Sequence, residues 1–398
     1  ALWEYNDFAK KIIQTKEIRS MAHNNTVLKQ LIAFLPRYEF DTLAKVHHAG
    51  QKFRSYNRWS QFLALLIGQL SGRKSLRDIT DNLKAQGKQL YHLGMKKTCK
   101  ATLARVNAEQ PASLYQMLFA KLLSRCQLAA PKHKFSFQGK LYLLDATVIN
   151  LCLSVFPWAE FRQKKGAIKL HMGLDADGYI PAFMDMTTGK VHEINWARTL
   201  RLPKGSFLCF DRGFTDYAWY NELTTSSIFF VTRLKSNADV QYLLKRAGRK
   251  SPGVTNDQNI RLKGVKAPLR LVAYTDAKTG VEYCFVTNAH HLKAKEIADI
   301  YKERWQIELF FKWIKQNLKI KTFLGSSSNA VLTQIWIALC VYLLVAYLNF
   351  KAKLGISMQQ VLRLLQLNLF ARRDLIELFS PPAVQVVDSP QRLIWENL

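Results

Sequence analysis

Acid is in short supply in this 398-residue chain: 29 Asp and Glu stand against 58 Lys and Arg, a formal net charge of +29. That imbalance excludes an acidic solvating chain. It points to a polyanionic partner, because Lys and Arg that neutralise phosphates release condensed counterions. Nucleic acid is the leading partner, with an unspecialised basic surface or a membrane surface as the alternative that charge alone leaves open. Cysteine is scarce as well. Cys99, Cys126, Cys152, Cys209, Cys284 and Cys340 form no Cys-x-x-Cys pair and no tight Cys/His spacing, which argues against a zinc site or a disulfide framework and fits a reducing cytoplasm. The run most easily mistaken for a membrane span, Ile335 to Leu348, is shorter than the ~20 residues a bilayer requires. It follows Thr333 and Gln334 and reads as a buried core helix, so no membrane is expected as a partner. Ala1 to Lys11 is charged and lacks an apolar stretch, so no signal peptide is expected. There is no internal repeat and no low-complexity tract.

The 48% of hydrophobic residues is ample for a core in each of two or three domains. Basic residues recur along the chain, at Lys96, Lys97, Lys100, Arg162, Lys164, Lys165, Lys245, Arg246, Arg249 and Lys250, which suggests an extended binding surface. Up to about Pro131 the apolar residues fall in helical steps: Phe62, Leu65, Leu66 and Leu70, then Leu76, Ile79 and Leu83. Ser71-Gly72-Arg73-Lys74 separates the two runs, and Ser75 followed by Asp78 reads as a helix N-cap. The arrangement fits a helix-turn-helix or an ordinary helical hairpin.

From Lys140 the pattern changes to strands. Leu141 to Ile149 is a nearly continuous apolar run, as in a strand buried on both faces. The runs around His171 and Met184 flank Asp175-Ala176-Asp177-Gly178, so a hairpin is expected there. Ser206 to Phe210 is a further strand, Tyr217 to Leu223 a helix, and Ile228 to Thr232 another strand. Ser236 to Asn288 reads as an inserted β unit rather than a continuation of the preceding layer, and Ala294 to Asn317 as helix.

Phosphodiester chemistry at neutral pH is served by two divalent ions ~4 Å apart, and such hard cations want carboxylate oxygens. Asp145 is an acid inside an apolar strand. Burying it unpaired costs several kcal/mol, so a basic residue or a cation must face it. Asp211 ends the apolar run SFLCF, where α/β folds place ligands, although capping a helical turn explains it equally well. Tyr301, Arg304, Glu308 and Lys315 share one stripe if they lie on one helix, with Trp305, Ile307, Leu309, Phe310, Phe311, Trp313 and Ile314 around the remaining circumference. Glu308 suits a cation there, and Arg304 and Lys315 suit phosphate oxygens; an Arg304 to Glu308 ladder is the competing explanation. Glu303 is set aside as off that stripe, Asp175 and Asp177 as hairpin-tip residues, and His171 as a core histidine.

The string Tyr-x2-Arg-x3-Glu-x6-Lys at these four positions resembles the signature of the insertion-sequence-four family of bacterial DDE transposases. The words RWQIELFFKWIKQNL, LLDATVI, CFDRGF, KLHMGLDADG and FFVTRLKSN resemble that family's catalytic region, over roughly residues 140 to 350. The resemblance implies an α/β, RNase H-like catalytic core with a β-rich insertion, preceded by an α-helical N-terminal DNA-binding domain. It divides the chain into a helical DNA-end-binding region (1–135), the first part of the core (136–235), the insertion (236–290), the second part of the core with the catalytic helix (291–352) and a C-terminal helical region suited to dimerisation (353–398). Asp145 would lie on the first strand, Asp211 after the fourth and Glu308 on a late helix, together holding two Mg²⁺ ions, with Mn²⁺ the alternative.

By the same resemblance, Arg304 and Lys315 would contact DNA near the scissile end, Tyr301 would position or stack on the terminal nucleotide, and Arg233 would touch backbone phosphate. Family members free a 3′-hydroxyl at the transposon end, form and reopen a hairpin, and join the end to target DNA as a dimer. The implied partners are therefore double-stranded DNA, as terminal inverted repeats and as target, and a second copy of the chain, in a bacterial cytoplasm at the nucleoid. An aromatic residue on the insertion can hold a flipped base in such enzymes. No Trp occurs between Trp219 and Trp305, which leaves Tyr283 or Phe285 for that role. Two other functions use the same residues: a DNA-binding regulator without catalysis, and an RNase H-like nuclease without strand transfer.

Overall fold

The structure, a computed structural model, describes residues 25–50, 56–162, 165–246, 251–318 and 323–379. Ala1 to Lys11, the basic residues Lys164, Arg249 and Lys250, and the chain from 380 to 398 lie outside the described residues. The described residues up to 129 are mostly helical: α1 (Val27–Ile32), α2 (Arg37–Val46), α3 (Arg58–Leu70), α4 (Leu76–Ala85), α5 (Gly87–Leu90), α6 (Lys100–Glu109) and α7 (Ser113–Ala129). The Asn57 side chain caps α3 by accepting from the Ser60 amide, and every residue of α3 is buried. The expected turn follows, with Gly72 at φ +67°, and Ser75 caps α4 through the Asp78 amide. Leu76, Ile79 and Leu83 all point into the core, as their spacing demands.

Among the described residues, ten strands form one sheet. β1 (Leu141–Leu151), β2 (Glu160–Arg162), β3 (Lys165–Asp175) and β4 (Ile180–Thr188) come first, followed by β5 (Phe207–Cys209), β6 (Phe229–Arg233), β7 (Val240–Lys245), β8 (Val254–Leu262), β9 (Leu269–Thr275) and β10 (Glu282–Thr287). β3 pairs antiparallel with β1 on one side and with β4 on the other; β1, β5 and β6 run parallel. Beyond β6 the path continues β10, β9, β8, β7, all antiparallel. This corrects the expectation that residues 236–290 leave the preceding layer. The reason is alternation: Ile260, Leu262, Leu269, Leu271 and Val286 point to the same side as Leu208 and Phe230 and share one core with them.

That core is roofed by α8 (Glu193–Ala197) and α9 (Tyr217–Thr225), through Trp196, Trp219 and Tyr220. The opposite face of the sheet carries α10 (Ala294–Glu303), α11 (Trp305–Asn317) and α12 (Ser328–Ala352), with α13 (Met358–Asn368) packed on α12. α12 touches α3, α6, α7 and β4, so the N-terminal helices and this face of the sheet share one core. At 25 residues it is longer than its apolar run suggested, and it is the helix among the described residues long and apolar enough to cross a bilayer. Burial rather than length decides its role, since 89% of its most apolar window is covered by protein.

Gly173 on β3 lies opposite Phe183 on β4, and a Cβ there would stand 1.8 Å from the Phe183 ring. The ring covers the glycine and reaches Tyr142 and Trp196, at 5.1 and 6.3 Å between centroids. Gly173→Val should therefore lower stability by about 1–3 kcal/mol through overpacking. Urea denaturation would measure it, with Phe183→Ala in the same chain relieving much of the loss. An unchanged midpoint for Gly173→Val would refute this packing.

Candidate active site

The register of β1 and β5 brings the first two acids together. Leu143 pairs with Cys209, and carrying that parallel pairing on by two residues sets Asp145 opposite Asp211. Leu141, Leu143, Phe207 and Cys209 all belong to the core under α10 to α12, so Asp145 and Asp211 continue that face as the strands emerge from cover. α11 lies against β1, anchored by Ile307, Phe310, Phe311 and Ile314, and it brings Glu308 and Lys315 to the same place.

The helix expected over 294–317 is broken at Arg304, which closes α10 and opens α11. Tyr301 therefore sits on one helix, Glu308 and Lys315 on the next, and Arg304 at the break. Its guanidinium lies between two acids, with Nη2 2.6 Å from Glu308 Oε1 and Nη1 3.8 Å from Asp145 Oδ2. Lys315 donates from Nζ to Thr147 Oγ1, two residues past Asp145 on the same face of β1. Asp211 accepts from the Gly213 amide at 2.8 Å and so caps the helical turn Arg212–Phe214.

Each acid thus has the partner that its structural explanation required: a basic residue facing Asp145, a capped turn at Asp211 and an Arg304 ladder at Glu308. What those explanations do not account for is the convergence of the acids on one spot. Burial pushes the Asp145 carboxyl up to about 7; the Ala146 amide and Arg304 oppose the shift, and Asp211 and Glu308 reinforce it. Among the described residues, no three acidic, His or Cys side chains are close enough to share a metal ion. Arg304 occupies the space between Asp145 and Glu308 instead.

A cleft of about 310 Å³ opens beside this cluster, lined by Arg233, Tyr283, Phe285, Tyr301, Arg304 and Trp305 among others. Arg233 lies over the Tyr283 ring at 4.9 Å, Tyr283 and Phe285 are nearly parallel, and Phe285 reaches Tyr301 at 4.9 Å. Trp305 is 56% exposed and Leu309 41%, so α11 is less enclosed than its apolar residues suggested. The sequence pattern offered no signal for two other acids. Glu193, bridged to Lys169 at 3.3 Å, approaches the turn after Asp211: a Cβ at Gly213 would lie 3.2 Å from Glu193 Oε2 and 3.0 Å from Asp211 Oδ1. Glu303, set aside as off the stripe, is only 8% exposed. His171 is a core residue, as expected: its Nε2 meets Thr187 Oγ1 at 2.8 Å, its ring stacks on Trp196, and burial pushes it down to about 4.

An acid inside β1, an acid two residues beyond the parallel β5 and an acid on the helix laid against β1 belong to one mixed α/β domain. The family profile described as a transposase DDE domain matches residues 136–344, and one described only as a domain of unknown function matches 23–96. The chain belongs to the DDE transposases, in the insertion-sequence-four family, and is a DNA transposase. Three relatives carry transposase names. The protein y4zB of Sinorhizobium fredii is 33% identical over 71% of this chain and 80% of its own. A Geobacillus stearothermophilus protein named for insertion sequence element IS5377 is 28% identical over 64% of this chain and 68% of its own. A Synechocystis protein named for element IS4SA is 27% identical over 63% and 72%.

Proposed function

We propose that the chain cuts the ends of its element and joins the freed 3′-hydroxyl to target DNA, with Asp145, Asp211 and Glu308 as metal-binding catalytic residues. The observation that carries this reading is the meeting of Asp145 on β1, Asp211 two residues beyond the parallel β5, and Glu308 on the helix laid against β1. The strand order β4, β3, β1, β5, β6, with its first three strands antiparallel and its last three parallel, supports an RNase H-like core, and β7 to β10 are the insertion that lengthens its sheet.

The residues fit a pair of divalent cations by donor chemistry, since three carboxylates supply hard oxygen ligands and burial, reinforced by Asp211 and Glu308, makes an unpaired charge on Asp145 costly. Mg²⁺, or Mn²⁺ in its place, would there strengthen an attacking oxygen and neutralise the leaving one. Arg304 faces both Asp145 and Glu308, and its guanidinium would turn to a phosphate once those acids are otherwise paired. Lys315 grips backbone near the scissile end from the side of Thr147. Tyr301 positions the terminal nucleotide and Arg233 takes a phosphate at the mouth of the cleft; of the two aromatics on the insertion Phe285 is only 3% exposed, so the half-buried Tyr283 is the one to stack on an extruded base. The N-terminal helices bind the inverted repeat, and the protein works as a homodimer on two ends.

The test is product analysis. Wild-type protein, Mg²⁺ and a duplex carrying the inverted repeat that flanks the gene should yield a 3′-hydroxyl at the element end, then a hairpinned end, then a joined product in added target DNA. Cleavage without any joined product would favour a nuclease. Binding with no cleavage in either Mg²⁺ or Mn²⁺ would favour a regulator.

A further inference from the structure

The β3–β4 turn is tied to three separate parts of the molecule. Lys140 bonds both Asp175 and Asp177 at 2.8 and 2.7 Å, and the His133 amide and Lys132 reach Asp177 at 2.8 and 3.0 Å. These contacts fasten the turn to the segment leading out of the N-terminal helices. Tyr179, held at φ +52°, accepts from the Tyr342 hydroxyl of α12 at 3.0 Å through its carbonyl. Its own hydroxyl donates to Glu303 Oε2 at 2.6 Å, and Lys134 Nζ lies 2.6 Å from Glu303 Oε1.

Glu303 is the last residue of α10, directly before the break at Arg304. Both of its carboxylate oxygens are held from outside its own helix, and a buried charge so fixed resists rotation of the backbone that carries it. The residue that follows aims one guanidinium at Asp145 and Glu308. Arg304 keeps helical backbone angles, but the bonds that span it are i→i−3, from its amide to Tyr301 and from the Ile307 amide to its carbonyl, a tighter and less regular link whose angle an outside contact can set. We propose that Glu303 is a positioning residue for cleavage: gripped by Tyr179 and Lys134, it sets the angle between α10 and α11 and thereby the placement of Arg304 and Glu308. The same grip links the segment leaving the N-terminal helices to the helix that carries Glu308.

The inference rests on the reading of Glu308 as catalytic, so Glu308→Gln, which keeps an acceptor for Arg304, is run alongside; if that variant cleaves, it is the catalytic reading that fails. The probes are Tyr179→Phe, Glu303→Gln and Glu303→Ala in the full chain, on the inverted-repeat duplex with Mg²⁺. Binding of the duplex should stay within about twofold of wild type, while single-turnover cleavage of bound DNA falls about ten- to a hundredfold in Tyr179→Phe and Glu303→Ala, as expected when reacting groups shift by ~1 Å. Glu303→Gln keeps an acceptor for the Tyr179 hydroxyl and should recover most of the rate. A merely structural role would lower the folded fraction and spare the rate of the molecules that bind. Wild-type cleavage by bound Tyr179→Phe, or equal losses in Glu303→Gln and Glu303→Ala, would overturn the proposal.

Discussion

Asp145→Asn, Asp211→Asn and Glu308→Gln proteins should each bind the inverted-repeat duplex nearly as wild type does, and cut it at least about a thousandfold more slowly. Each substitution removes a charge and keeps the shape. Asn at 211 can still accept from the Gly213 amide and cap the following turn, and Gln at 308 can still accept from Arg304. Folding should therefore survive while the anionic oxygen set is lost. Electrophoretic binding and cleavage measured on the same samples separate the two effects. Undiminished cleavage by any one of the three would remove that acid from the catalytic assignment, and undiminished cleavage by all three would end it. The conservative substitutions are more informative than alanine, because alanine at 308 also strips Arg304 of its nearest partner and confounds the loss of a ligand with the release of a guanidinium.

What could be read from the sequence was what depends on neighbours along the chain. Ser75 caps α4 because its side chain meets an amide three residues on, and Leu76, Ile79 and Leu83 turn inward because 3.6 residues make a turn. Asp145 stood out because an acid in an apolar run demands a partner, and its partner proved to be Arg304. Pairing between distant segments left no local trace. β7 to β10 alternate as any half-buried sheet does, and only the match of β10 to β6 shows that they extend the same layer. The break at Arg304 was also hidden: the residues on either side of it are good helix formers, and the groups that hold Glu303 lie far off at Tyr179 and Lys134. Spacing put Tyr301, Arg304, Glu308 and Lys315 on one stripe of one helix, and missed that two helices deliver them.

Without divalent ions, Asp145 should destabilise the protein at neutral pH, and Asp145→Asn should be the more stable chain. Burial first, and the nearby Asp211 and Glu308 after it, hold the Asp145 carboxyl up to about 7 against the ordinary 3.8, while the Ala146 amide and Arg304 pull the other way. Between those two values the native protein keeps a proton that the unfolded chain has released. The stability from this group is thus fully present below about pH 4 and is lost as pH rises through about 7. The difference amounts to at most about 4 kcal/mol at 1.36 kcal/mol per unit. Asparagine carries no such proton, so the two proteins should denature alike near pH 4 and diverge by pH 8 in EDTA, wild type unfolding at the lower urea concentration. Adding Mg²⁺ at pH 8 should close the gap by stabilising wild type more than the variant, since a ligand that binds only the native state adds RT ln(1 + [L]/Kd). Parallel pH profiles in EDTA would show that Arg304 alone satisfies Asp145, and would leave its burial without the electrostatic cost that makes a cation welcome there.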